Sequence, residues 1–250
     1  MGNSITPQQQ AEHAELEIFQ FGIDWWTSVR QIQPFHNLPK LEAKGSLNIT
    51  MEVADTPCES ANTETGDDTT TATMHSVKFS TPSTDPRATP LIVFPGYGSG
   101  TGIFYSVLPG LTEQHSGPVY VLDFLGCGLS TRRPWTLGYG REANLNDTEA
   151  YFCDAIEQWR VNMNITKMVL SGHSMGGYLT AAYCERYPES VERLVLISPV
   201  GVPDADPTIT ERLQNAPYVF LFSCLELPWY CTHDSGYSSL SLSLSLSSPL

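Results

Sequence analysis

The chain has 250 residues, with 13 Lys or Arg against 27 Asp or Glu, for a formal net charge of −14 at pH 7. That balance excludes the clustered basic surface by which proteins neutralise phosphates, so no nucleic-acid partner is expected. The length suits one α/β core with appendages, and six cysteines without zinc-like spacing fit reduced thiols in a cytoplasmic protein with no metal or other cofactor.

Residues 1–43 form an amino-terminal arm. It lacks the basic start and apolar core of a secretory signal, and no apolar run in the chain is long enough to span a bilayer. Met1-Gly2-Asn3-Ser4-Ile5-Thr6 fits an N-myristoylation pattern. A lone acyl chain holds a membrane only marginally, and residues 1–29 contain no Lys or Arg to assist it. Leu16, Ile18, Phe19, Phe21, Ile23, Trp25, Trp26, Val29 and Ile32 predict a helix with a broad aromatic-aliphatic face. Two roles fit that face: peripheral attachment to a membrane surface, and packing on the domain.

The core is expected over 44–203. Ser46 to Val53 alternates as a strand, an acidic loop follows at 54–74, and His75 to Ser80 alternates again, suggesting an antiparallel start to the sheet. Leu91-Ile92-Val93-Phe94, Val119-Tyr120-Val121-Leu122, Met168-Val169-Leu170 and Leu194-Val195-Leu196-Ile197 are short apolar runs suited to strands covered on both faces. Helical patterns lie between them, notably from Asp147 to Trp159 and from Tyr178 to Tyr187. Strands alternating with helices imply an α/β fold with a mostly parallel, doubly wound sheet.

The most specific feature is Gly172-His173-Ser174-Met175-Gly176, placed between the run ending at Ser171 and a helix. A serine on such a strand-to-helix turn is exposed as a nucleophile, and small residues are needed where neighbouring backbones approach. Acyl transfer at Ser174 also needs backbone N–H donors for the developing oxyanion. Met175 is the natural first donor, and Tyr97, on the glycine loop after Phe94, the second. That loop contains no phosphate-binding motif.

These residues, together with Phe94-Pro95-Gly96-Tyr97-Gly98, the stretch from Asp123 to Pro134 and the stretch from Arg193 to Pro203, resemble the α/β-hydrolase superfamily. The similarity is greatest to its abhydrolase-domain 4/5 branch of lipid lipases, acyltransferases and lipase co-activators. The resemblance implies a lipid or acyl-ester substrate and a Trp-rich arm that meets lipid droplets. One departure is Pro95, where most relatives carry His. In the Asp123-x-x-Gly126-x-Gly128-x-Ser130 block, Asp123 and Ser130 are expected to bond backbone at a tight strand exit.

The triad order of this fold places an acid and a His after the nucleophile, and little sequence remains to hold them. Residues 204–229 read as the start of a cap, and His233 with Asp234 is the only downstream His-Asp pair. His13, His36, His75 and His115 read as loop or surface residues. Ser239 to Ser247 alternates Ser and Leu, as a CT-repeat DNA would encode or a strand would need, and 230–250 reads as a low-complexity tail. The sheet is therefore expected to be incomplete at its carboxyl end, with an exposed edge at the Leu194–Ile197 strand that invites aggregation. Catalysis impaired by a missing base and acid is expected, or else a non-catalytic role as a lipid-surface adaptor or lipase co-activator.

Overall fold

The computed structural model describes residues 6–32, 48–58, 72–138, 143–200 and 219–222. In chain order these form helix α1 (Pro7–Ile32), strands β1 (Thr50–Pro57), β2 (Thr73–Ser80) and β3 (Leu91–Phe94), and helix α2 (Leu108–Gln114). They continue with β4 (Val119–Leu122), α3 (Leu145–Asn162), β5 (Met168–His173), α4 (Met175–Arg186), β6 (Val191–Ile197) and β7 (Val219–Phe222). A short 3-10 turn, Thr101–Phe104, links the β3 loop to α2.

The sheet has the order β1-β2-β4-β3-β5-β6-β7. Its first two pairings are antiparallel and the others parallel. Strict alternation along the strands sends each side chain to one of two cores. Ile92, Phe94, Tyr120, Leu122 and Leu170 face α3 and α4 and pack with Ile156, Trp159, Leu179 and Tyr183. Leu91, Val93, Val119 and Val121 face the other way, onto Phe19 and Leu108 of α1 and α2. The doubly wound α/β architecture expected from sequence is present.

Three expectations change. β1 is displaced four residues toward the acidic segment, so Asp55 lies on a strand directly opposite His75. His75 is not a surface residue: it is fully buried on β2. Val219–Phe222, expected within a cap, pairs in parallel with Leu194 to Ile197. β6 is thus not the sheet edge, and the expected exposure of its ladder is corrected. Four consecutive apolar residues suit a buried strand as well as a cap helix, which periodicity alone does not separate. His36, His233, Asp234 and the alternating tail lie outside the described residues.

Helix α1 begins at a reciprocal cap: the Gln9 amide donates to Thr6 Oγ1 at 3.2 Å, and the Thr6 amide donates to Gln9 Oε1 at 2.9 Å. Its Glu15, Phe19, Gly22 and Ile23 are buried against the domain, while Ile18, Phe21 and Trp25 are exposed. The helix thus carries one buried apolar stripe and one exposed one. Among the described residues no helix is long and apolar enough to cross a membrane, no group of His, Cys, Asp and Glu is arranged to hold a metal ion, and Cys58, Cys127, Cys153 and Cys184 are free thiols.

Candidate active site

Ser174 stands between β5 and α4 with φ 55° and ψ −119°, a left-handed conformation seldom adopted by a residue with a side chain. Such a conformation costs about 1–3 kcal/mol and persists where surrounding contacts overdetermine it. Here the β6 exit supplies them. The Ser174 amide donates to the Ile197 carbonyl at 3.0 Å, and the Val200 amide donates to the Ser174 carbonyl at 3.1 Å. Ile197 to Val200 therefore form a strap on the elbow, beyond the strand that ends there.

The glycines make the elbow sterically feasible. A Cβ on Gly172 would meet the Gly176 carbonyl oxygen at 2.2 Å, and a Cβ on Gly176 would meet the Pro95 carbonyl oxygen at 2.4 Å. β5, the first turn of α4 and the β3 exit are therefore in direct backbone contact. The close approach continues at Gly96, where an added Cβ would lie 3.0 Å from Ser174 Cβ and 3.2 Å from His173 Nδ1. The loop carrying Tyr97 thus passes against the serine. Pro95 fits because its carbonyl, not an N–H, faces α4.

Met175 is the first residue of α4, so its N–H belongs to the first turn, where intrahelical acceptors are absent. Tyr97 has an exposed side chain, as expected if its backbone rather than its phenol is used. Ser174 and Met175 are half-buried. Gly172, His173, Ser174, Met175, Gly176 and Tyr97 are thus brought to one place. Among the described residues no hydrogen bond is made to Ser174 Oγ. His13 is exposed beside Glu17, His115 bonds the Thr89 carbonyl at 2.8 Å, and His75 is occupied elsewhere.

The Asp123 block has the structural role expected of it. Asp123 is buried and accepts from the amides of Thr101 and Leu129, both at 2.8 Å, while Ser130 Oγ donates to the Asp123 carbonyl at 2.7 Å. Burial raises the Asp123 pKa above the usual carboxylate value, against the lowering effect of those two amides. The network continues beyond this block. Thr101 Oγ1 donates to Glu15 of α1. The other Glu15 oxygen lies 2.8 Å from His75 Nε2, and His75 Nδ1 lies 2.8 Å from Asp55. No local pattern signals this group, because its members are 20 to 86 residues apart.

Sequence comparison agrees with this geometry. Residues 89–223 match the family described as alpha/beta hydrolase fold. The 1-acylglycerol-3-phosphate O-acyltransferase ABHD5 of Rattus norvegicus is 36% identical over 129 residues, covering 52% of this chain and 34% of that protein. The abhydrolase domain-containing protein abhd-5.2 of Caenorhabditis elegans is 35% identical over 126 residues, covering 50% and 27%. The (lyso)-N-acylphosphatidylethanolamine lipase of Bos taurus is 34% identical over 122 residues, covering 48% and 33%. The chain thus spans about a third of the length of these curated relatives. With its family pattern covering more than half its length, a strained serine at the β5–α4 turn and the sheet order described above, the chain belongs to the α/β hydrolase fold family.

Proposed function

We propose that the chain carries the nucleophile half of a lipid-acting serine enzyme, which hydrolyses or transfers an acyl group of a phospholipid or acylglycerol. In this reading Ser174 Oγ bonds to the ester carbonyl carbon, and the amides of Tyr97 and Met175 donate to the oxygen that becomes negative. Collapse breaks the bond to the alcohol oxygen, which takes the proton lost by Ser174 through a general base. The acyl-serine is then released to water, or to the hydroxyl of a lysolipid acceptor. The observation that carries this reading is Ser174 at φ 55° with Gly96 packed against it. The acyltransferase and lipase names of the relatives support the choice of a lipid ester.

The base and its carboxylate are not among the described residues that surround Ser174, and an unactivated serine hydroxyl is a weak nucleophile. Impaired catalysis is therefore the expected state of this chain. With a fluorophosphonate probe, labelling should be slow, at least about a hundredfold below that of a base-assisted serine, because general-base assistance contributes roughly 10²–10⁴ in rate. Rapid labelling abolished by Ser174→Ala would show that a base is in place and would overturn the impairment.

The exposed stripe of Ile18, Phe21 and Trp25 favours a second reading, a non-catalytic adaptor on a membrane or lipid droplet. Flotation with phosphatidylcholine vesicles or triacylglycerol droplets tests it. An exposed indole entering an apolar phase contributes on the order of 1 kcal/mol, so Trp25→Ala/Trp26→Ala is expected to weaken binding about tenfold, more than Gly2→Ala does. Binding of the double variant equal to that of the parent would remove α1 from the lipid-contact surface.

A further inference from the structure

The buried polar group beneath α1 lies beside the Tyr97 loop, and its composition is unusual. Glu15 keeps 8% of its surface exposed, and His75, Thr101 and Asp123 at most 1%. A neutral imidazole has one N–H, yet His75 faces a carboxylate from each ring nitrogen, so the doubly protonated ring is the form that satisfies both contacts. Burial opposes that charge, but hydrogen bonding and attraction from Glu15, with help from Asp55 and Asp123, raise the His75 pKa to about 9.

Apolar residues of similar volume would hold a helix on a sheet as well as buried charges do, so a charged contact here is weak evidence of a purely stabilising role. What distinguishes Glu15 is that its two oxygens reach different elements. One meets His75 on β2, and the other accepts from Thr101, four positions after Tyr97. The loop has one anchor at each end: Gly96 against Ser174, and Thr101 between Asp123 and Glu15. Between them the internal support includes Ser99, whose Oγ donates to the Gly96 carbonyl at 2.9 Å and whose amide reaches the same oxygen at 3.4 Å.

We propose that Glu15 is a positioning residue for the Ser174 site: the side chain that seats α1 on β2 also fixes Thr101, so the placement of the Tyr97 amide depends on α1 being docked. This rests on the reading of Tyr97 as an oxyanion donor, whereas the mechanical coupling is independent of catalysis. Because α1 also bears the exposed stripe of Ile18, Phe21 and Trp25, whatever binds that face acts on the same lever.

Hydrogen exchange read by mass spectrometry on the full 250-residue chain tests the coupling. Thr101→Val removes the hydroxyl that reaches Glu15 and leaves the Glu15–His75 contact in place. The amides of 96–104 should then exchange roughly tenfold faster, a loss of about 1.4 kcal/mol of local protection, while α1 stays protected. Thr101→Ser restores the hydroxyl and should return the loop to parent rates, a rescue that general loosening would not produce. Glu15→Ala should accelerate exchange in α1 and in the loop together. Unchanged loop exchange in either Thr101→Val or Glu15→Ala, or failure of Thr101→Ser to restore it, overturns the proposal. Since this readout needs no chemistry at Ser174, a coupled loop in a chain whose Ser174 is inert would refute the catalytic reading alone.

Discussion

Gly176→Ala and Gly172→Ala are expected to destabilise the domain by about 3 kcal/mol or more each, at the upper end for overpacking of a well-filled interior. The reason is the identity of the obstructing atoms. The added methyl at 176 meets the carbonyl oxygens of Pro95 and Phe94 at 2.4 and 2.8 Å, and the one at 172 meets the Gly176 carbonyl oxygen at 2.2 Å. These are backbone atoms of the central sheet and its first helix turn, and no rotamer change moves them aside. Relief requires separating the β3 exit from α4, which also carries Gly96 away from Ser174. In a domain of this size the loss corresponds to a fall in Tm of roughly 6–12 °C. Gly102→Ala is the control, because no atom lies within 4 Å of an added Cβ there. Equal unfolding temperatures for the three variants would show that the elbow is not packed as described.

His75→Leu should cost a comparable amount, about 3–5 kcal/mol, since it leaves the buried Glu15 carboxylate without its counter-charge. The parent chain should show the same interaction through pH. A histidine whose folded pKa is raised from 6.5 to about 9 contributes stability that is fully present below 6.5 and lost as pH rises through about 9. The groups facing it are Glu15 on α1, Asp55 on β1 and Asp123 at the end of β4, all acidic, so each favours the charged ring. Thermal unfolding followed between pH 6.5 and 9.5 is expected to show a falling Tm in the parent and a flatter profile in His75→Leu. A parent profile no steeper than that of the variant would mean that the buried ring is neutral.

The parts of this molecule that were legible in its sequence are those decided locally. Leu91–Phe94 and Val119–Leu122 are legible as strands because prolines delimit them, Pro90 and Pro95 around the first and Pro118 before the second, and their ends fall where expected. The elbow was legible because Gly172, Ser174 and Gly176 satisfy a steric requirement at fixed spacing. Asp123 accepts from the Leu129 amide and Ser130 donates to the Asp123 carbonyl, six and seven positions apart, so turn chemistry predicts these contacts, whereas the bond to the Thr101 amide, 22 positions away, has no local signal. The pairing of β1 was not decided locally. Thr50 to Pro57 aligns with β2 so that Asp55 meets His75, and the other side of the His75 ring meets Glu15 of α1, 60 residues away. The aromatic arm was ambiguous for a different reason: Phe19 and Ile23 face inward while Phe21 and Trp25 face outward, and a helix apolar on both sides has no single face to read. Val219–Phe222 pairs with β6 although its sequence suits a cap equally, because a short apolar run carries no period with which to distinguish the two.

The central claim is that Ser174 is the residue this fold presents for acylation. Its most direct test is peptide mapping after prolonged treatment of the whole chain with a fluorophosphonate. A slowly accumulating adduct on Ser174, absent from Ser174→Ala, is expected. An adduct on any other residue, or an equal yield in Ser174→Ala, would contradict it.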